Sequence, residues 1–143
     1  MNVRIAKHSD YETLKKWWEY WRFPAPSFYS LPQEDEENFC GVIAYSDEKE
    51  IASGFLYKTN SALCWVEYIV TNPKTSAEER SEGIQKVLNS LSELAIEFGY
   101  VAVFSSLKNE NLINKYKDNG FVEGSKNTTE MIKILHKWQQ QQQ

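Results

Sequence analysis

At 143 residues, with 41% hydrophobic and 25% charged side chains, the chain has the size and balance of one soluble domain, which excludes a disordered or membrane-embedded protein. A formal charge of -4 argues against a general nucleic-acid binder, which would present a basic face. No apolar run approaches the ~20 residues of a bilayer span, and Cys40 and Cys64, lacking CxxC or Cys/His spacing, read as buried free thiols and not as metal ligands or a disulfide.

Residues 2–7 alternate as a short strand without the charged and apolar regions of a secretory signal, so the expected compartment is the cytoplasm. Ser9-Asp10-Tyr11-Glu12 is a Ser-x-x-Glu capping box that should start a helix. Tyr11, Leu14, Trp17, Trp18 and Trp21 share its apolar face, which makes the tryptophans core residues and not stacking platforms for nucleic acid. Pro24, Pro26 and Pro32 rule out helix through the aromatic loop 23–32, which reads equally as a lid on the core or as a wall of a substrate pocket. The acidic stretch 34–37 reads as a solvated turn that would also draw a cationic substrate.

Residues 39–45 read as a strand, 46–49 as a turn and 51–58 as the antiparallel partner. A third strand starts near Leu63 and runs through Trp65-Val66-Glu67-Tyr68-Ile69-Val70. A helical pattern opens at Ser76 or at Arg80, carries Ile84, Val87, Leu88, Leu91, Leu94, Ala95 and Phe98 on one face, and stops at Gly99. Val101-Ala102-Val103-Phe104 is continuously apolar, as a strand covered on both faces is, and the helical crossover makes it parallel to the strand before. Residues 109–119 form a short helix with Leu112, Ile113 and Tyr116 inward, and 121–124 and 130–135 read as two last strands around a turn. Residues 139–143, all Gln, read as a disordered tail, which leaves 1–138 as the domain.

A strand that ends in a polar, glycine-containing loop at the mouth of a helix gathers unpaired backbone N–H groups and the positive end of a helix dipole, which suits a phosphate. Arg80-Ser81-Glu82-Gly83-Ile84-Gln85 occupies that place. The capping box Ser76-Ala77-Glu78-Glu79 offers an earlier helix start that would put Gly83 inside the helix. Glu78, Glu79 and Glu82 would oppose an anion there unless they point outward. Glu67 is a carboxylate in an otherwise apolar strand, where burial raises a pKa toward the range of a general base; a solvated face is the alternative.

The order of elements resembles the GNAT superfamily of acetyl-CoA-dependent N-acetyltransferases over residues 2–136, and two motifs carry the likeness. Arg80 to Gln85 is similar to the family's Arg/Gln-x-x-Gly-x-Gly/Ala pyrophosphate loop, with Gln85 in place of the small last residue and a longer loop before it. Asn109, Tyr116, Gly120 and Phe121 match the family's Asn-x6-Tyr-x3-Gly-Phe segment. The resemblance implies an α/β (α+β) single domain whose mixed, mostly antiparallel sheet has six to seven strands and three to four flanking helices. It implies acetyl-CoA held by Arg80, Ser81, Glu82, Gly83, Ile84, Gln85 and Asn109, and by the backbone of Ile69, Val70 and Thr71, with no metal. Glu67 is then the general base toward an amine acceptor, and Tyr116, a phenol of ordinary pKa ~10, the acid that protonates the departing thiolate. The alternative is a GNAT-like domain without catalysis that serves as a ligand-sensing or protein-interaction module. Either form is expected as a monomer or homodimer.

Overall fold

The computed structural model describes residues 1–135. The elements in order are β1 (Asn2–Lys7), α1 (Tyr11–Tyr20), β2 (Asn38–Ser46), β3 (Lys49–Tyr57), β4 (Leu63–Thr71), α2 (Ala77–Glu97), β5 (Ala102–Phe104) and α3 (Glu110–Asp118), with 3-10 turns at His8–Asp10 and Phe28–Ser30. One sheet holds the strands in the order β1-β2-β3-β4-β5. Pairing is antiparallel from β1 to β4 and parallel between β4 and β5, as the long crossover through α2 requires.

Alternation along the strands gives each face of the sheet its own core. Val42, Ala44, Ala52, Leu56 and Val66 pack with Ile84, Val87, Leu88, Leu91 and Ala95, which recur at helical spacing along α2. Phe39, Ile43, Phe55 and Val70 pack with Leu14, Trp17 and Trp18 of α1. Fully burying a side chain such as Phe39 or Phe55 contributes about 1.5–3 kcal/mol, and both are completely buried. Cys40 and Cys64 are buried free thiols. In the aromatic loop Leu31 is buried in the α1-side core, while Ser30 reaches the rim of the cavity described below.

Three expectations are corrected. Ser9 does not cap α1; the helix starts after Asp10 without a side-chain cap, because the Asp10 carboxylate instead accepts from Arg4 at 2.9 and 3.0 Å and from the Lys7 N–H at 2.8 Å. Among the described residues the sheet has five strands and not six to seven. Residues 121–124 and 130–135 form no strand, and Val122, Met131, Ile132, Ile134 and Leu135 stand exposed. The physical reason is at the sheet edge: β5 spans 3 residues, too short an edge to template two further strands. The glutamine tail lies outside the described residues. Among the described residues no helix is long and apolar enough to cross a membrane.

Candidate active site

The site is built where β4 loses its parallel neighbour. β5 pairs with β4 over Leu63, Cys64 and Trp65, so from Val66 to Thr71 that edge of β4 has no strand partner among the described residues. On its other side β4 carries a bulge: Ser53 pairs with Val70 and Phe55 with Glu67, so β4 advances three residues while β3 advances two. The extra residue is accommodated at Tyr68, which takes a left-handed φ of 60°. That backbone costs of order 1–3 kcal/mol in a non-glycine residue and survives only where packing enforces it. Trp18 edge-on at 6.2 Å, Phe23 at 6.3 Å and Tyr57 at 6.3 Å supply that packing around the Tyr68 ring.

Glu67 sits just before the bulge, half-buried, and its Oε1 accepts the N–H of Ser106 at 2.8 Å. Burial pushes its pKa above the ordinary carboxylate value, against the lowering effect of the Ser106 N–H and the Ser105 hydroxyl and with the help of the Glu130 charge. The solvated alternative is therefore set aside. Tyr116, on the inner face of α3, is buried and its hydroxyl lies 3.0 Å from Ser105 Oγ. Ser105 Oγ in turn donates to the Val66 carbonyl at 2.6 Å, so the Tyr116 O–H is the donor in its own bond with Ser105. Burial raises the Tyr116 pKa, with the Glu67 charge adding to it and the Ser105 bond opposing. The phenol stays protonated through the whole neutral range. An open cavity of about 390 Å³ lies over Glu67, walled by Tyr57, Trp65, Tyr68, Ser106 and Glu130. Two carboxylates and three aromatic faces make it a place for a cation.

The second half of the expected site is organised differently. α2 starts at Ala77, one turn before Arg80, because the Ser76 capping box forms: Ser76 Oγ accepts the Glu79 N–H at 3.1 Å and the Glu79 carboxylate accepts the Ser76 N–H at 3.0 Å. Arg80 N–H already bonds the Ser76 carbonyl at 2.9 Å, and Arg80, Ser81, Glu82, Gly83, Ile84 and Gln85 all lie within the helix. The diphosphate cradle expected there is not formed, since peptide N–H groups inside a helix have no bond to spare. Gly83 has a packing role instead: a Cβ on it would stand 2.8 Å from Ile51 Cγ2 and 3.1 Å from Ala52 Cβ, so the glycine lets α2 lie close on β3. Ile84 is buried in the core. Arg80 turns its guanidinium to the Thr75 carbonyl and over the Trp21 ring. The Gln85 amide donates to the Lys115 carbonyl at 2.8 Å and accepts from Asn119 at 3.1 Å, tying α2 to α3. Asn109 is the N-cap of α3, its Oδ1 taking the Leu112 N–H at 3.0 Å.

The structure thus brings Glu67 and Tyr116 together through Ser105 and the loop after β5. It leaves the backbone of Ile69, Val70 and Thr71 along the open β4 edge, although the Thr71 carbonyl already accepts from the Trp21 indole at 2.9 Å. An open strand edge suits the amides of an extended pantetheine arm, whereas the capped α2 does not suit a diphosphate. Ser105, Ser106, Tyr57, Trp65, Tyr68 and Glu130 belong to the site without having been singled out from sequence. Of these only Trp65 and Tyr68 carried a signal, standing two places before and one place after Glu67 in the same strand.

No protein-family model matches the chain, and no curated relative does. Solved structures do match its shape. The aminoglycoside N-acetyltransferase AAC(6')-Iy in complex with CoA superposes with a TM-score of 0.64 at 14% identity, covering 93% of this chain and 100% of that one. The aminoglycoside acetyltransferase meta-AAC0020 from an uncultured soil metagenomic sample, in complex with sisomicin, gives 0.66 at 10% identity, covering 93% and 95%. Rv2747 from Mycobacterium tuberculosis, in complex with CoA and NLQ, gives 0.63 at 19% identity, covering 90% and 76%. The chain has the fold of the GNAT-type acetyltransferases.

Proposed function

We propose that the chain moves an acetyl group from acetyl-CoA or a similar thioester directly to a primary amine seated in the cavity over Glu67. The observation that carries this reading is the half-buried Glu67 carboxylate, its pKa raised by burial, at the wall of an open aromatic cavity beside the bulge of β4. An alkyl ammonium has a pKa of ~10.4, so it must give up a proton before it can attack. Glu67 takes that proton; the amine nitrogen bonds to the thioester carbonyl carbon, the C–S bond breaks, the sulfur leaves as a thiolate, and the nitrogen loses its second proton to solvent as the amide forms. Tyr116, held protonated by burial, is the acid that supplies the thiolate's proton and is reprotonated from solvent. Glu130 and the faces of Tyr57, Trp65 and Tyr68 hold the acceptor's charge before it is deprotonated. The aminoglycoside acetyltransferases among the structural neighbours fit an acceptor of this kind.

The second reading, a ligand-sensing or protein-interaction module, is favoured by the closed Ser76–Glu79 capping box where a diphosphate would bind. NMR detection of acetylated product from a panel of mono- and diamines separates the two. Product formation in the presence of enzyme supports the transferase; a thioester that binds and is never consumed supports the module.

A further inference from the structure

Resting on the transferase reading, we propose that the chain recognises its donor by the acyl-pantetheine arm alone and makes no productive grip on the nucleotide diphosphate. Its donors are then acyl-pantetheine thioesters as a class, with coenzyme A one member among them. Independent features of α2 point the same way. The first-turn amides that a phosphate would use are partly spent, because Ser76 Oγ holds the Glu79 N–H. The amides left over, Ala77 and Glu78, stand beside the carboxylates of Glu78 and Glu79. Three of the cations nearby have other partners: Lys49 pairs with Glu79 at 3.0 Å, Arg80 turns to the Thr75 carbonyl and the Trp21 ring, and Lys115 donates to Ser81 Oγ at 3.2 Å. Gly83, the residue whose missing side chain would let a phosphate approach a helix, spends that space on Ile51. Gln85, standing where a small residue is expected, fills the space between α2 and α3 and bonds to both Lys115 and Asn119. Along the edge of β4, by contrast, the Val66 and Thr71 carbonyls accept from Ser105 and Trp21, and the backbone between them is untouched by these changes and can pair with the amides of the arm.

The test compares acetyl-CoA with acetyl-pantetheine on the full chain, measuring kcat/KM with one amine and, by calorimetry, the affinities of CoA and pantetheine. The proposal expects the two donors to agree within about threefold in both measurements, because a grip on the diphosphate would show as a far larger ratio. A preference of about a hundredfold or more for acetyl-CoA overturns it and leaves the transferase reading in place. If neither donor is consumed and CoA and pantetheine bind equally, the transferase reading fails while the mode of binding holds. If neither binds, the proposal is overturned with it.

Discussion

The N–H of Ser106 donates to Glu67 Oε1 at 2.8 Å, so the loop that follows β5 holds the carboxylate of β4 in place across the point where the two strands part. This bond favours ionisation less than burial opposes it, and the net shift of the Glu67 pKa from 4.5 is upward. The folded chain therefore binds this proton more tightly than the unfolded chain. The stabilisation is complete below the unfolded value and is lost as pH rises through the folded one. Glu67→Gln, neutral at every pH and still able to accept from Ser106, is expected to match or exceed the wild type in thermal stability at neutral pH. The advantage should vanish in acid below the ordinary carboxylate range. A variant less stable than wild type at all pH values contradicts the assignment of burial as the dominant effect.

Ser105 joins Val66 and Tyr116, and removing either end should have different costs. Tyr116→Phe loses one hydrogen bond while Ser105 keeps the Val66 carbonyl, so urea denaturation should report a loss of about 0.5–1.5 kcal/mol. Ser105→Ala leaves a buried carbonyl and a buried phenol unpaired, and the loss should be about 1–3 kcal/mol. Equal stability of the serine variant and wild type refutes this bridging role. Turnover in Tyr116→Phe should fall with little change in donor affinity, and an unchanged rate removes Tyr116 as the acid.

Gly83→Ala separates packing from ligand binding. Alanine favours a helix interior by about 1 kcal/mol over glycine, but the added Cβ meets Ile51 and Ala52, both completely buried on β3. Overpacking of this kind costs about 1–3 kcal/mol. The expected result is a lower denaturation midpoint with unaltered affinity for CoA; a more stable variant, or one with its CoA affinity abolished, contradicts the packing role.

Both thiols should be silent in the folded chain. Cys40 and Cys64 are buried, and burial, with Glu34 adding to it, pushes the Cys40 thiol up to about 12. A disulfide-exchange reagent at mildly alkaline pH should label neither until denaturant is added. Rapid labelling of native protein would show that the sheet opens around β2 or β4.

Much of this arrangement is legible in the chain because it depends on local periodicity. The apolar spacing of α2, the alternation of β2 and β3 and the lone carboxylate in β4 each arise from neighbouring residues, and the structure places all of them in the elements expected. Tyr116 was singled out by the likeness of residues 109–121 to the family's segment, and it packs against Phe121 with ring centroids 4.8 Å apart. The start of α2 was readable in two ways, and the local capping box at Ser76 prevailed over the longer-range likeness of Arg80–Gln85 to a phosphate loop. What escaped reading depends on contacts between distant segments. Ser105 and Ser106 meet β4 only through the parallel register of β5, and Glu130 reaches the cavity from a segment without regular structure. The final strands failed for a related reason: the apolar residues of 130–135 make only a residue pattern, and a strand also needs an edge to pair with.

The proposed role of Glu67 is to accept the proton of an amine in the cavity above it. Amine-dependent release of free thiol from an acetyl thioester, compared between wild type and Glu67→Gln at matched stability, tests this most directly. The account predicts a rate that rises with pH as the carboxylate ionises in the wild type and falls about 10²–10⁴-fold in the variant. A glutamine variant that releases thiol at the wild-type rate, with the same pH profile, contradicts it.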